Sequence, residues 1–254
     1  MRLELLYNPR LAIERLAIES QRRRRLGKLK GTVAQGLELG HIDSLELLEL
    51  IKLHQPQTIY DIGANIGTWS LLAKACFPQS QIHAFEPLIL HHQPFAETMR
   101  NISGVFLHKI ALGASAGTLD MQVASFSDAS SLLEIATATR EHFGITKERE
   151  EQVSVVPLDL YISETDLPFP DLIKLDIQGY ELEALRGSEN CLRHAKFLIC
   201  ELSFIEFYRR QALFDDVVSF LRQAGFHLHA FGVNTPLGQR LLQTDALFAK
   251  EQAF

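Results

Sequence analysis

No run of 18 consecutive apolar residues occurs in these 254 residues, so no membrane-spanning helix is expected. The first residues scatter Arg2, Glu4, Arg10 and Glu14 among apolar side chains and lack the apolar centre of a signal peptide. Cysteine is scarce. Cys76, Cys191 and Cys200 are odd in number and far apart, which fits neither a disulfide framework nor a metal cluster and implies buried reduced thiols in a cytoplasmic protein. The histidines form no spaced metal set: His91 and His92 are expected exposed at a helix start, while His227 and His229 alternate on a late strand as structural residues. No internal repeat or low-complexity tract is present, which sets aside repeat architectures and disordered tracts. A general basic surplus is also missing. The net charge is −6, and nine of the 25 Lys and Arg fall within residues 1–30, against three Glu there. The acidic remainder should repel nucleic-acid phosphates, so no nucleic-acid partner is expected.

What is present is ordinary globular usage, 46% hydrophobic and 22% charged, enough for a sizeable core. Residues 1–42 are expected to form a basic helical extension. Ile13, Leu16, Ala17 and Ser20 share one helical face, the run Arg22 to Arg25 follows, and Gly27, Gly31, Gly36 and Gly40 then interrupt. A solvated face is the plain reading of that run; a membrane-surface, anionic-substrate or partner role is the alternative. Residues 43–254 form the main domain. Asp43 or Ser44 can cap a helix over Leu45–Leu53, with Glu46 in its first turn and Pro56 at its end.

From there strands and helices alternate. Strands are expected at Thr58–Ala64, Gln81–Glu86, Val105–Leu112, Asp171–Asp176, Lys196–Leu202, His227–Val233 and Ala246–Lys250. Helices are expected at Gly67–Cys76, His91–Ile102, Tyr180–Leu192 and Phe214–Ala224. Short apolar strands alternating with helices imply an α/β fold with a doubly wound, mostly parallel sheet. Residues 115–161 break the rhythm with strands at Thr118–Ala124 and Gln152–Pro157 around a polar segment, and are expected to form a β insertion or lid beside the site.

The strongest chemical signal is Asp61-Ile62-Gly63-Ala64-Asn65-Ile66-Gly67-Thr68-Trp69-Ser70, between a buried strand and a helix. Gly63 and Gly67 permit a tight turn and a close ligand approach. The helix N-terminus at Thr68 offers free amides to a carboxylate, and Asp61 can accept hydrogen bonds from an ammonium group. A ligand end with both charges is an amino acid, as in S-adenosylmethionine. Ala84-Phe85-Glu86-Pro87 closes the next strand, where a carboxylate holds ribose hydroxyls. A dinucleotide site would use G-x-G-x-x-G; here the spacing is G-x-x-x-G, with Ala64-Asn65 in place of the middle glycine. A nicotinamide-dependent oxidoreductase is therefore the lesser alternative.

The segment Asp171-Leu172-Ile173-Lys174-Leu175-Asp176-Ile177-Gln178-Gly179-Tyr180-Glu181, continued to Leu185-Arg186-Gly187, resembles the signature of the FkbM family of methyltransferases. Asp61 to Trp69, Phe85-Glu86-Pro87 and Ala111-Leu112-Gly113 resemble the same family in the same order, over about residues 58–203. The resemblance implies a class I methyltransferase-like, Rossmann-like, seven-stranded sheet with its last strand antiparallel. It implies S-adenosylmethionine as donor and, as in several members, O-methylation of natural products or sugars. It adds Ala111 to a cofactor set of Asp61, Gly63, Ala64, Asn65, Gly67, Thr68, Glu86, Pro87 and Asp176. Gln178 stands where many members carry glutamate.

Methyl transfer needs oxygen and methyl carbon held about 3–3.5 Å apart, and a base to take the hydroxyl proton. Asp176 is the first candidate base. Lys174, two residues earlier, can pair with it or favour a forming alkoxide. Glu181 and Glu201 complete the expected catalytic set, with helix-dipole and loop-capping roles as their plain alternatives. Asp176, Glu181 and Glu201 could also hold a divalent metal through oxygen ligands. The serine-rich stretch from Ser125 to Ser131 either lines the site or forms a solvated turn. The expected partner is a small hydroxylated acceptor (a natural product, sugar or glycolipid), and a homo-oligomer is left open. A non-catalytic S-adenosylmethionine-binding module is the alternative from a different class.

Overall fold

A computed structural model describes residues 23–237 and 240–253. The expected amphipathic helix before Arg23 lies outside the described residues, as does Arg22.

Among the described residues, ten strands form two sheets. β1 (Thr58–Ile62), β2 (Gln81–Phe85), β3 (Val105–His108), β7 (Leu172–Leu175), β8 (Phe197–Ser203), β9 (Phe226–Leu237) and β10 (Arg240–Lys250) build a seven-stranded sheet in the order β3-β2-β1-β7-β8-β10-β9. Its first five members pair in parallel, and β10 runs antiparallel to both β8 and β9. The order reverses between β1 and β7, which opens a crevice at the carboxyl ends of those strands. β4 (Ala111–Leu112), β5 (Gly117–Ala124) and β6 (Lys147–Val156) form the second sheet, with β5 and β6 inside the stretch 115–161 expected as an insertion and β4 just before it.

All five residues of β1 and all four of β7 are buried, because helices cover both faces. Ile59 and Tyr60 point to opposite faces, and neither is exposed. Beneath Ile59 lie α1 (Leu45–Leu50) and α2 (Thr68–Cys76), through Leu48, Leu72 and Ala73. Beneath Tyr60 lie α5 (Leu158–Thr165), α6 (Glu181–Arg186), α7 (Glu189–His194) and α8 (Phe214–Gln223), through Leu158, Leu185, Leu192 and Leu221. α3 (Ile89–Thr98) packs Phe95 and Met99 on Ala64 and Ala84, and α4 (Thr137–Phe143) lies within the insertion. The three cysteines are free and buried, as expected.

Several expected boundaries move. The strand expected over Val105–Leu112 is two strands in different sheets, β3 and β4. The chain leaves the main sheet after His108, where the His108 carbonyl accepts from Glu86 N and its ring meets Tyr161. The helix expected over Tyr180–Leu192 breaks at Gly187. A Cβ there would lie 2.1 Å from the Gly113 carbonyl oxygen, and the Ser188 hydroxyl turns back to the Ala184 carbonyl at 2.6 Å. α1 ends at Leu50, and Ser44 makes no cap bond; its hydroxyl donates to Asp245 at 2.6 Å instead. The described part of the N-terminal extension is not set apart. Leu29, Ala34 and Ile42 join the core beneath β1, and Arg25 binds Glu46 through two nitrogens at 2.7 and 2.9 Å.

Candidate active site

A cavity of about 470 Å³ opens at the carboxyl ends of β1, β2, β7 and β8, a size usual for small-ligand sites. The loop after β1 forms one wall. Gly63, Asn65 and Gly67 adopt positive φ of 85°, 49° and 87°, and the Gly63 and Ala64 amides both donate to the Phe85 carbonyl at 3.0 Å. The glycines serve the protein's own packing. A Cβ on Gly63 would lie 1.9 Å from the Asp176 carbonyl oxygen; one on Gly67 would lie 2.8 Å from Met99 Cε and 3.0 Å from Phe95. Gly63, Ala64, Asn65 and Thr68 line the cavity, with Glu86, Pro87 and Ala111 beyond them, whereas Gly67 does not reach it.

Asp61 departs furthest from the expectation of an ammonium ligand. It is wholly buried below the cavity, and strand pairing sets it opposite Lys174. Its Oδ2 accepts from the Ser70 hydroxyl at 2.6 Å, and its Oδ1 lies 3.6 Å from Lys174 Nζ. Burial pushes the Asp61 carboxyl up, against the pull of Lys174 and Ser70. Glu86 fits its expected place better. Its Oε2 accepts from Asn65 N and its Oε1 from Leu88 N, both at 2.9 Å. Two backbone bonds leave lone pairs for further donors. His91 is not exposed as expected; it is buried, its Nδ1 3.1 Å from Glu86 Oε1.

The opposite wall is acidic. Lys174 Nζ lies 3.3 Å from Asp176 Oδ2. Burial works against its charge, but the carboxylates of Asp176 and Asp61 outweigh burial and hold Lys174 above its ordinary range. Asp176 and Glu201 both face the cavity. Asp245 joins them, because the β8–β10 register sets it directly opposite Glu201. Burial, then Asp176 and Asp245, push Glu201 well above the carboxylate range. Burial and Asp176 raise Asp245 to about 6, although Ser44 donates to it. Like charges directly opposite across a sheet are unfavourable, and such costs cluster at functional sites.

Glu181 stands apart from its expected partners. It is buried outside the cavity lining, and its Oε1 accepts from the amides of Ile177 and Gly179 at 3.0 and 3.1 Å. Burial raises it to about 7 despite those bonds. Glu181 thus ties down the loop after β7 through two backbone amides. The described residues hold no group of three or more His, Cys, Asp or Glu side chains arranged for a metal.

The insertion closes the cavity. Phe126, Asp128, Ala129 and Ser130 of the serine-rich stretch line it, with Phe143 and Phe207 forming an apolar side. Asn65 Nδ2 donates to Asp128 Oδ1 at 2.8 Å, tying the insertion to the loop after β1. Three cavity-lining residues, Asn65, Trp69 and His91, carry buried polar atoms that make no hydrogen bond among the described residues: Asn65 Oδ1, Trp69 Nε1 and the His91 ring nitrogens. An amino-acid or nucleoside ligand has donors and acceptors to offer them, so these residues fit S-adenosylmethionine. Sequence reasoning missed Ser44, Asp245 and Tyr208. Asp245 interrupts an apolar strand, a signal hidden because that strand was expected to begin one residue later, at Ala246.

Comparison with known proteins adds a family. A family model described as the methyltransferase FkbM domain matches residues 61–228. The chain is 24% identical over 164 residues to the hexuronic acid methyltransferase AglP of Haloferax volcanii, covering 64% of this chain and 62% of that protein. It is 30% identical over 145 residues to Methyltransferase 1 of Beauveria bassiana, covering 52% of this chain and 58% of the relative. It is 25% identical over 192 residues to the 2-O-methyltransferase NoeI of Sinorhizobium fredii, covering 71% and 79%. The chain thus spans about three fifths of the length of the first two relatives. Among solved structures, the magnesium protoporphyrin IX methyltransferase ChlM of Synechocystis PCC 6803 aligns with a TM-score of 0.48 and 12% identity, over 92% of this chain and 91% of that one. The fold assignment stands on the strand order alone.

Proposed function

This chain belongs to the FkbM methyltransferase family, and from that premise we propose that it transfers a methyl group from S-adenosylmethionine to a hydroxyl of a small molecule. The observation that carries the reading is one cavity with two unlike walls. On one side are Asn65, Thr68 and Glu86, suited to an amino acid and a ribose; on the other are the carboxylates of Asp176, Glu201 and Asp245.

When bound, S-adenosylmethionine supplies a methyl group on a positively charged sulfur. The chain's own residues do the rest. Glu86 has lone pairs for ribose hydroxyls, and the amides at the start of α2 suit a carboxylate. The cavity-facing carboxylates can accept the proton that the acceptor hydroxyl gives up, with Asp176 the first candidate. Lys174 Nζ lies 3.3 Å from Asp176 Oδ2 and helps hold that carboxyl in place. Phe126, Phe143 and Phe207 suit the C–H faces of a sugar or a partly apolar natural product. The names of AglP and NoeI favour a sugar-type hydroxyl.

Calorimetry with S-adenosylhomocysteine tests the donor half. Asp176→Asn, assayed with labelled donor on a panel of hexoses, deoxyhexoses and hexuronic acids, tests the acceptor half. Transfer should fall about 10²–10⁴-fold with product affinity kept within a few-fold. Product binding without transfer to any hydroxyl compound would instead identify a non-catalytic binding module.

A further inference from the structure

The turn after β7 holds a residue whose contacts exceed any structural need. Gln178 adopts a φ of 57°, a left-handed conformation uncommon for a side chain of its size. Ser131 of the insertion secures it, its hydroxyl donating to the Gln178 carbonyl at 2.6 Å. The side chain lies between two acids. Gln178 Nε2 is 2.8 Å from Asp176 Oδ1 and 3.2 Å from Glu201 Oε2. An amide nitrogen carries two protons, so one nitrogen can donate to both carboxylates at once. The same geometry fixes the orientation of the amide, since its oxygen in that place would face two acceptors. At the other end, Gln178 Oε1 lies 2.9 Å from the Tyr208 hydroxyl, whose single proton is shared with the Ala129 carbonyl at the same distance.

The surrounding charge explains why a donor belongs there. Glu201 feels Lys174 on β7, Asp176 just after it, Asp245 on β10 and Glu181 on α6. Among the described residues acting on Glu201, the positive charge is that of Lys174, which is already divided between Asp61 and Asp176. Two acids within reach of one nitrogen tend to share a proton unless something donates to both. A carboxyl that already holds a proton cannot take one from an alcohol.

We propose that Gln178 is a positioning residue: its amide, oriented through Tyr208 and Ser131, bridges Asp176 and Glu201 and fixes both carboxyl groups side by side on the cavity wall, with Asp176 placed to take the acceptor's proton. This rests on the O-methyltransferase reading of the cavity. Glutamate at this position could not serve the same way, because it would add a third carboxylate and donate to neither neighbour.

The test does not need the acceptor. The full chain is labelled with ¹³C at the Asp and Glu carboxyls, and the carboxyl signals are titrated with and without S-adenosylhomocysteine. Asp176→Asn and Glu201→Gln assign the pair. Gln178→Glu should raise the higher midpoint of the pair by about one pH unit or more, a tenfold change in proton affinity. Gln178→Met, which removes the donors without adding charge, should raise it by less, and it carries the test if the glutamate variant does not fold. Midpoints unchanged in the methionine variant would overturn the proposal. Calorimetry separates the two claims: no affinity of the wild-type chain for S-adenosylhomocysteine sinks the donor reading, while the ligand-free titration still decides the clamp.

Discussion

At the scale of single residues, local geometry decides roles that residue type leaves open. Gly63 looks like a residue that lets a ligand approach, yet the atom it admits is the Asp176 carbonyl oxygen. Gly63→Ala would put a Cβ 1.9 Å from that oxygen at a φ of 85°. The backbone must shift, so a loss of about 3 kcal/mol or more is expected in urea denaturation. Glu181 illustrates the reverse. It looks like a member of the acidic set but accepts from two loop amides. Glu181→Ala leaves both amides unpaired and should cost about 1–3 kcal/mol. Glu181→Gln keeps one acceptor oxygen and should cost less. A glutamine variant of full stability without transfer activity would return Glu181 to the catalytic set.

At the scale of elements, the insertion is the informative piece. Its sheet of β4, β6 and β5 shares no ladder with the main sheet, yet its serine-rich stretch reaches the loop after β1 through Asn65 and Asp128. An exposed hydrogen bond of this kind adds little to global stability. Its value lies in ordering the loop proposed to meet the donor. Asp128→Ala should therefore leave the thermal midpoint nearly unchanged. The same variant should weaken S-adenosylhomocysteine binding by about three- to tenfold in calorimetry, equivalent to roughly 1 kcal/mol. Equal affinity in the two proteins would make the contact incidental.

At the scale of the whole molecule, acid stability is set by groups of opposite sign. His83 Nδ1 lies 3.0 Å from His108 Nε2, and His108 Nδ1 lies 3.0 Å from the Tyr161 hydroxyl. Burial, and then His83, lower His108 from 6.5 to about 4; burial lowers His83 as well. The unfolded chain thus binds protons that the fold refuses. The stability from neutral His108 is complete above pH 6.5 and is lost as pH falls through 6.5 toward 4. Glu181 and Asp245, raised to about 7 and 6, act the other way: the fold gains stability as they take up protons. His108→Gln isolates one contribution. Its denaturation free energy should fall less steeply than wild type between pH 7.5 and 4.5. The difference should be on the order of 1 kcal/mol, reduced by the ring's partial solvent exposure. Parallel pH profiles would show that His108 is not the group responsible.

Apolar periodicity and glycine punctuation are local properties, so the α/β class, the loop after β1, Glu86 at the end of β2 and the segment from Lys174 to Gly187 are legible in the linear order of residues. It could not mark the strand break after His108 or the helix break at Gly187, because contacts distant in sequence make them. Nor could it separate Glu181 and Asp61, which lie behind the cavity wall, from Asp176 and Glu201, which face it. Folding separates them, because a carboxylate's role depends on which donors and charges the folded chain brings to it. Asp245 enters the site through the antiparallel register of β10 against β8, a pairing across more than 40 residues of chain that no local pattern encodes.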